Sequence, residues 1–313
     1  QLSPAQLSQH QAGLEVDFSY ELASRSIRFR ANLFNQLTGL AVVFRTVKKD
    51  IISLEDLGVP PIVTQFASYP HGLVLVGGPT GAGKSTTLAA LVDYINRTQR
   101  RHIVTIEDPV EVVHNQVRSL LTQREVGAHT RSFKAALRSA LRQDPDVILV
   151  GELRDLDTIS FAVSAAETGH LVFGTVHTTS ADATIERLIG AFPGRQQGQV
   201  RGMLAESLKA VTCQYLLRTP EGGRIPAVEV MINNDAIHSL IRKGKAFQIS
   251  TIMATSRDQG MQLMDSELIR LAKAKRVVVE DAYAKSVDRR SFEAALGLPP
   301  SETGPQSGAL PTA

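Results

Sequence analysis

The stretch that most constrains this chain is GGPTGAGKSTT at residues 77–87, between the apolar run GLVLV and the helical pattern LAALVDYIN. It fits the pattern GxxxxGK[ST], in which glycines let backbone N–H groups wrap phosphates, the lysine reaches the terminal phosphates and the hydroxyl ligates magnesium. The helix that follows adds the positive end of its dipole. We therefore predict a nucleoside triphosphate site formed by nine residues: Gly78, Pro79, Thr80, Gly81, Ala82, Gly83, Lys84, Ser85 and Thr86.

Composition allows this site to sit in an ordinary globular protein. The chain has 313 residues with 43% hydrophobic content, enough for two or three domains with a substantial core. The net charge of +3 is too small to indicate nucleic acid as the main partner. Cys213 is the single cysteine, which excludes an internal disulfide and a multi-cysteine zinc site, and we expect a buried structural thiol.

The ends of the chain and its apolar runs bear on membrane association. No run reaches about 18 apolar residues, so we predict no membrane span. No signal peptide is recognisable. The chain opens on QLSPAQLSQHQ without a methionine and reads like the middle of a domain, so we expect further sequence upstream.

The patterning predicts an α/β protein preceded by a small sheet. Residues 14–47 alternate apolar and polar side chains as strands do, and KKDIISLEDLGVPP reads as a linker. Short apolar runs then alternate with helical patterns, as expected for buried parallel strands: LVLVG, HIVTIE, DVILVG, LVFGTVH and later RIPAVEVMI. We divide the chain into an N-terminal domain (1–48), a linker (49–60), the α/β core (61–233), a helical region (234–297) and a disordered tail (298–313).

One helix is predicted with its start. In SFKAALRSALRQD the apolar side chains recur at i, i+3, i+4, i+7 and i+8 from Phe133, which places them on one helical face. Ser132 is expected to cap this helix.

Polar side chains follow three of the predicted strands. Carboxyl ends of parallel strands lie at one edge of a sheet, so we expect these groups to converge on the phosphates. A carboxylate there can hold magnesium through water or orient the attacking water, and Glu152 is our first choice for this role. The strand-end residues are Glu107, Asp108 and Glu111; Glu152, Arg154 and Asp155; and His177.

Several of these residues have two interpretations at this stage. Glu107 and Glu111 in EDPVE act on nucleotide or water, or an acid there caps the N–H groups of a turn. His177 senses the terminal phosphate or satisfies a buried hydrogen bond. His170, beside Gly169, is a site residue or a cap of the preceding helix. Neither histidine has metal-ligand spacing on a helix.

Arginines in the small sheet form a further group of candidates. Arg28, Arg30 and Arg45 lie outside the α/β core. An arginine brought from another domain or subunit neutralises transition-state charge and makes hydrolysis depend on assembly. A solvated strand face is the alternative.

Taken together, the motifs resemble the PilT branch of the type IV pilus and type II secretion ATPases. The similarity runs from about residue 14 to 296 and includes GPTGAGKSTTLAALVDYIN, TIEDPVEVVH, QREVG, ALRSALRQDPDVILVGELRD, AETGHLVFGTVHTTSA and GMQLMD. It implies a PAS-like N-terminal domain, a RecA-like ATPase domain and ATP with Mg²⁺ in their cleft. It also implies a cytoplasmic hexamer at the inner membrane that retracts a pilus through a platform protein.

The resemblance assigns roles by position. Residues 78–86 match the Walker A loop, residues 107–111 the Asp box, Glu152 the Walker B glutamate and His177 the His box. RFRAN and VFR match segments in which the family keeps nucleotide-directed arginines. The following loop NQLTG lacks the arginine that family members often carry there, so which arginine completes the site stays open.

Two features bear on the direction of the motor. Assembly and secretion ATPases of this family typically carry a four-cysteine zinc insertion, and one cysteine cannot form it, which favours retraction. DAIHSLIRKGK resembles the retraction-linked segment AIRNLIRE through Ala236, Ile237, Leu240 and Ile241, although His238 and Ser239 replace Arg and Asn. The same stretch and TPEGGR also resemble the accessory ATPase PilU, which leaves a second ATPase as a possible partner or role.

Three hypotheses remain at this point. The first is an ATP-driven hexameric motor, and the second is a nucleotide-binding regulatory subunit with little turnover. A DNA-dependent ATPase is disfavoured, because the charge is near neutral and aromatic residues make up only 5% of the chain.

Overall fold

The computed structural model describes residues 4–22, 27–47 and 50–300. Within the predicted tail, residues 298–300 have no regular structure and the remainder lies outside the described residues. The division of the chain into domains at the stated residues stays a prediction.

The N-terminal part is a helix followed by an antiparallel sheet, as the alternation predicted for residues 14–47. Rings of Tyr20, Phe29 and Phe44 cluster on it, with 5.8 Å between the centroids of Phe29 and Phe44. The strands pair in the order β1-β2-β3. The elements are α1 Pro4–Gln11, β1 Val16–Leu22, β2 Ile27–Gln36 and β3 Gly39–Val47.

The predicted linker is packed rather than free. Residues 50–60 run as turns and coil. Leu54 and Val59 are nevertheless buried, and both belong to the same apolar cluster as Phe66 beyond the short helix α2, Ile62–Gln65. This segment therefore anchors the chain to the core before the first strand of the main sheet.

The main sheet has seven strands in the order β10-β9-β4-β8-β7-β5-β6. Neighbouring strands are parallel except for β10, which is antiparallel to β9. All five predicted strand runs are confirmed, whereas β6 and β9 were missed. The strands are β4 Gly72–Gly77, β5 His102–Glu107, β6 Leu120–Glu125, β7 Val147–Val150, β8 Leu171–Val176, β9 Leu208–Thr219 and β10 Gly223–Ile232.

Helices cover both faces of this sheet, which explains why its strands read as continuous apolar runs. In β4, Leu73 and Leu75 point into one apolar cluster, while Val74 and Val76 point into the other. The helices of the core are α3 Lys84–Thr98, α4 Phe133–Ala140, α5 Leu156–Glu167, α6 Ala181–Gly190 and α7 Gly194–Ser207. The predicted cap of α4 is confirmed, because the Ser132 side chain accepts a hydrogen bond from the Ala135 N–H.

Residues 235–296 are mainly helical, as predicted. Tyr283 and Phe292 pack edge to face in a third apolar cluster that also contains Leu217 of β9 and Ala227 of β10. In the part of the chain that the structure describes, no helix is both long and apolar enough to cross a bilayer. The C-terminal helices are α8 Asp235–Arg242, α9 Ile249–Thr255, α10 Met264–Lys273, α11 Val279–Lys285 and α12 Arg289–Leu296.

Candidate active site

The glycine-rich loop connects β4 to α3, the strand and helix that the motif requires. Gly78 has φ +141° and Gly83 has φ +89°, conformations that L side chains rarely adopt. A Cβ at Gly78 would also lie 2.5 Å from the carbonyl oxygen of Gln214. Both glycines are therefore required by the local backbone, which leads the loop into the first turn of α3.

Lys84 lies inside the loop at the start of α3. It is 9% exposed, and its Nζ donates to the carbonyl oxygens of Gly78 at 2.8 Å and Pro79 at 3.1 Å. Burial lowers the pKa of Lys84, and the negative charges of Glu152 and Glu111 act against that lowering. The ammonium group is thus held among loop carbonyls with two carboxylates nearby.

A buried glutamine of β9 holds the glycine-rich loop through hydrogen bonds. Gln214 Nε2 donates to the carbonyl oxygen of Ala82 at 2.7 Å, and its Oε1 accepts from the Thr87 hydroxyl at 3.0 Å. One side chain therefore joins the loop to the first turn of α3. The sequence reasoning missed Gln214 because β9 itself was not predicted.

Glu152 lies two residues beyond the end of β7 and is held by two basic groups. Its Oε1 lies 2.6 Å from Arg154 Nε and 3.2 Å from His177 Nε2, which follows the neighbouring strand β8. Burial raises the pKa of Glu152, but the hydrogen bonds and charges of Arg154 and His177 outweigh it, so the pKa lies below its ordinary value. Glu152 is accordingly a carboxylate at neutral pH.

His177 is 43% exposed by its side chain and faces Glu152. The interpretation that it satisfies a buried hydrogen bond is therefore wrong, because its partner lies at the open edge of the sheet. The strand order β8-β7 places the two residues side by side, as the shared edge of parallel strands predicts.

The two acids of EDPVE have different environments. Glu107 is half-buried and accepts hydrogen bonds from the Thr105 hydroxyl at 2.7 Å and from Gln123 Nε2 at 3.4 Å. Burial raises the pKa of Glu107, and these hydrogen bonds act against the rise. Glu111 is exposed and lines a cleft beside the loop. The geometry thus distinguishes the two acids, which the sequence could not separate.

Strand β6, which was not predicted, holds the segment that carries Glu111. Gln123 accepts from the His114 N–H at 2.8 Å and donates to the Val112 carbonyl oxygen at 2.9 Å. Glu125 accepts from the Val110 N–H at 3.1 Å. These bonds fix both sides of Glu111 to the sheet.

A cleft of about 190 Å³ lies between the N-terminal sheet and the core. Ser85 and Thr86 reach it from the start of α3, and Arg30 and Arg45 reach it from the sheet. Further lining comes from Thr46, Val47, Pro109, Val110, Glu111 and Val112. The structure therefore brings the hydroxyl groups of the loop, an acid and two arginines to one place.

Arg30 and Arg45 are directly opposite one another in the β2–β3 register. Like charges in this position destabilise a sheet, so the pair is unfavourable unless an anion lies between or beside the two guanidinium groups. Asp17 is 4.0 Å from Arg30 Nε and is largely exposed. The backbone of Arg28 lies in β2, but its side chain lies outside the described part of the chain.

The remaining candidates lie away from the cleft. His170 caps α5, because its Nδ1 is 3.0 Å from the Ala165 carbonyl oxygen. In α8, Ile237 and Ile241 are fully buried and Leu240 packs against the same cluster, while Ala236 is exposed. Ile237, Leu240 and Ile241 thus contribute to the core.

A mixed sheet with a glycine-rich loop after β4, its first strand along the chain, and with Glu152 and His177 at adjacent strand ends, defines a P-loop nucleoside triphosphatase. The chain belongs to the family described as "Type II/IV secretion system protein", which matches residues 15–277. It is accordingly an ATPase of that family.

Curated relatives share this assignment. The chain is 51% identical over 284 residues to a "Twitching motility protein" of Neisseria gonorrhoeae, covering 90% of this chain and 76% of the relative. It is 49% identical over 279 residues to the "Type IV pilus retractation ATPase PilT" of Pseudomonas aeruginosa, covering 89% and 81%.

Among solved structures, the fold is similar to that described as "Crystal Structure of the Pilus Retraction Motor PilT and Bound ADP". The TM-score is 0.87 at 44% identity, and the match covers 94% of this chain and 83% of the other. The α/β architecture predicted from the sequence, a small sheet before a P-loop core, is confirmed.

Proposed function

We propose that this protein hydrolyses ATP to power the retraction of type IV pili. The observation that carries the proposal is the 49% identity, over 89% of the chain, to the retraction ATPase of P. aeruginosa. The PilU ATPase of the same organism is 42% identical over 85% of the chain. The retraction role is therefore favoured over the accessory role, although His238 and Ser239 in α8 keep the accessory role as the second candidate.

The nucleotide would bind along the loop from Gly78 to Thr86. Lys84 Nζ now donates to two loop carbonyl oxygens and would exchange them for oxygens of the β- and γ-phosphates. N–H groups at the start of α3 add to the attraction for negative charge. ATP is the nucleotide that the family assignment supports.

Magnesium fits the residues present. Mg²⁺ keeps several waters and binds through few protein ligands together with phosphate oxygens. Ser85, exposed at the cleft, offers a hydroxyl oxygen, and Glu152 offers a carboxylate that would act through a water. A bound Mg²⁺ would neutralise phosphate charge, while the residues of this chain position the reactants.

Glu152 would orient the attacking water and accept its hydrogen bond. Its lowered pKa keeps it ionised, and Arg154 and His177 restrict its rotation. His177 also stands where it can sense the terminal phosphate. Positioning of this kind supplies most of the catalysis in phosphoryl transfer, since little covalent chemistry is required of the protein.

Arg30 and Arg45 would neutralise the charge that develops on the phosphate oxygens. Their direct opposition across β2 and β3 supports this role, because an anion relieves the repulsion between them. Glu107, Glu111 and Arg28 remain proposed members of the same site by family position. Closure of the small sheet onto the core would then bring the arginines to the nucleotide.

We further propose the assembly in which this site works. The protein would form a hexamer on the cytoplasmic side of the inner membrane, where successive closures around the ring turn the face that contacts the platform protein of the pilus. A second ATPase of the PilU type is a candidate partner.

Deletion of the gene in its host, followed by counts of surface pili and assays of twitching motility, tests the proposal. Excess pili without motility are expected, restored to normal by the wild-type gene but not by Glu152→Gln. Loss of pili would indicate an assembly motor and would overturn the retraction role. Normal pili with weakened retraction would support the accessory role instead.

A further inference from the structure

A buried carboxylate outside the nucleotide site connects two helix starts. Glu229 of β10 is 6% exposed. Its Oε1 accepts from the Ala181 N–H, the first of α6, at 2.8 Å. Its Oε2 accepts from the Met264 N–H, the first of α10, at 3.2 Å.

The first N–H groups of α6 and α10 need a hydrogen-bond acceptor from outside their own helix. The first N–H groups of a helix have no partner within the helix. Ser180 precedes α6, but its hydroxyl donates to Asp182 instead of accepting from the helix. Leu263 precedes α10 and has no polar side-chain atom to offer. Glu229 therefore does for both helices what a local capping residue normally does for one.

Helix α6 also contacts the residue next to His177 of the proposed nucleotide site. Thr178 follows His177, and its hydroxyl is 2.5 Å from the hydroxyl of Thr184 in α6. Thr184 in turn donates to the Ser180 carbonyl oxygen at 2.8 Å. Displacement of the loop that carries His177 would therefore displace the start of α6.

The α10 side leads to the C-terminal helices. Gln262, two residues before α10, exchanges both backbone hydrogen bonds with Val230, the neighbour of Glu229 in β10. Helix α10 then packs through Leu268 and Leu271 in the apolar cluster that contains α11 and α12. Backbone hydrogen bonds thus tie the segment before α10 to β10, and Glu229 ties the start of α6 to the same strand.

We propose that Glu229 is a positioning residue that joins the loop carrying His177 to the C-terminal helices through the first N–H groups of α6 and α10. The link itself is a property of the fold, and only its use in hydrolysis rests on the function proposed above. Movement at the terminal phosphate would reach the C-terminal helices through this carboxylate.

The surroundings make the link sensitive to pH. Helix α6 places Asp182 near Glu229, α10 places Asp265 there, and β9 places the buried Cys213 thiol opposite it in register. Burial above all, together with the two aspartates, raises the pKa of Glu229 to about 7. Burial also raises the pKa of the Cys213 thiol, which stays neutral as the predicted structural thiol. Protonation of Glu229 weakens its capacity to accept two hydrogen bonds.

Amide hydrogen exchange on the purified protein without nucleotide tests the link. In Glu229→Gln, the amide oxygen can accept from only one of the two N–H groups and the NH₂ faces the other, so protection is expected to fall about tenfold in at least one of the peptides covering residues 178–185 and residues 263–268. Glu267→Gln is the matched control, because Glu267 is equally buried but pairs with Arg270 on its own helix. The control should leave residues 178–185 unchanged.

Three results would overturn the proposal. Unchanged protection at both segments would show that Glu229 does not hold the two helices. A fall in protection over the whole core of Glu229→Gln would show that the substitution loosens the protein generally. An equal fall in protection at residues 178–185 in Glu267→Gln would also indicate general loosening. If Glu229→Gln does not fold, Glu229→Asp gives the answer, since its shorter side chain cannot reach both N–H groups and protection must fall in at least one of the two segments.

Steady-state ATPase kinetics test whether the link through Glu229 is used in hydrolysis. In Glu229→Gln, kcat for ATP is expected to fall about tenfold while KM stays within about twofold, because the glycine-rich loop is untouched. A changed KM with unchanged kcat would contradict the positioning role. The exchange result stands whether or not the protein retracts pili, so failure of one proposal is distinguishable from failure of the other.

Discussion

Glu152 and His177 extend from the adjacent parallel strands β7 and β8, and their side chains meet at 3.2 Å at the open edge of the sheet. This contact places an ionised carboxylate beside an exposed imidazole, at the same edge of the sheet as the glycine-rich loop. The sheet topology alone brings them together, because consecutive strand ends of a parallel sheet share one edge. The pair is therefore the first place to test the mechanism.

Replacing Glu152 by Gln should abolish turnover without abolishing binding. The amide keeps the size of the side chain but cannot accept a proton or bind the water as strongly, so kcat is expected to fall about 100-fold or more. ATP affinity, measured by fluorescence or calorimetry, should change by less than about threefold, since the loop residues are intact. Glu167→Gln, exposed at the end of α5, is the control. Full activity of Glu152→Gln would refute the assigned mechanism.

Gln214 is expected to control nucleotide affinity through the shape of the loop. Gln214→Leu leaves the Ala82 carbonyl oxygen and the Thr87 hydroxyl without their partner, which costs about 1–3 kcal/mol of unfolding free energy. Affinity for ADP should fall accordingly, and calorimetric titration measures it. Gln196→Leu, exposed on α7, controls for the added apolar side chain.

Gln214→Glu refines this test. The carboxylate can still accept from Thr87, but it repels the Ala82 carbonyl oxygen, so affinity should fall at least as far as in the leucine variant. Wild-type affinity in both variants would show that the loop keeps its shape without β9.

Arg45 should show opposite effects on stability and activity. Removing one of two directly opposed arginines relieves repulsion, so Arg45→Ala is expected to raise the unfolding free energy of the nucleotide-free protein by ~0.5 kcal/mol. Loss of transition-state neutralisation should lower kcat at least ~10-fold, within the range of up to ~10⁵ known for such arginines. Denaturant unfolding and ATPase assays measure the two effects.

The control for Arg45 is Arg97→Ala, an exposed arginine of α3 paired with Asp93. It should leave kcat unchanged. A fall in stability together with unchanged kcat in Arg45→Ala would indicate that Arg45 belongs to a solvated strand face. The same comparison with Arg30→Ala shows which of the two arginines completes the site.

The core of the site could be predicted because its signals are local. The glycine-rich loop follows a continuous apolar run, and Glu152 and His177 follow two others, so the strand ends and their shared edge follow from the pattern. The cap of α4 by Ser132 was likewise visible as a serine before an apolar helical face.

Other parts depend on contacts that have no local signal. Helix α7 ends at Ser207 and β9 begins at Leu208 without a glycine or proline between them, so β9 and its Gln214 were missed. Strand β6 is a partly exposed edge strand without a clear apolar run, so Gln123 was missed too. The opposition of Arg30 and Arg45 depends on the register that the β2–β3 turn sets, and spacing along the sequence does not reveal it.

The raised pKa of Glu229 predicts a specific pH dependence of stability. The folded pKa is about 7 against an ordinary value of 4.5, so between these values the folded state binds more protons than the unfolded state. Protonation of Glu229 therefore contributes to the unfolding free energy in full below about pH 4.5, and this contribution is lost as the pH rises to about 7. The loss amounts to ~3 kcal/mol, because each pKa unit corresponds to ~1.4 kcal/mol. In Glu229→Gln the decline should be absent. Wild type should therefore lose stability relative to the variant across this pH range, and the difference should stay constant above about pH 7.

Denaturant unfolding at a fixed protein concentration measures the difference in unfolding free energy between wild type and Glu229→Gln. Gln196→Ala, which changes an exposed neutral residue, should keep the wild-type slope. Parallel curves for wild type and Glu229→Gln would show that Glu229 ionises in the folded protein as it does in the unfolded chain.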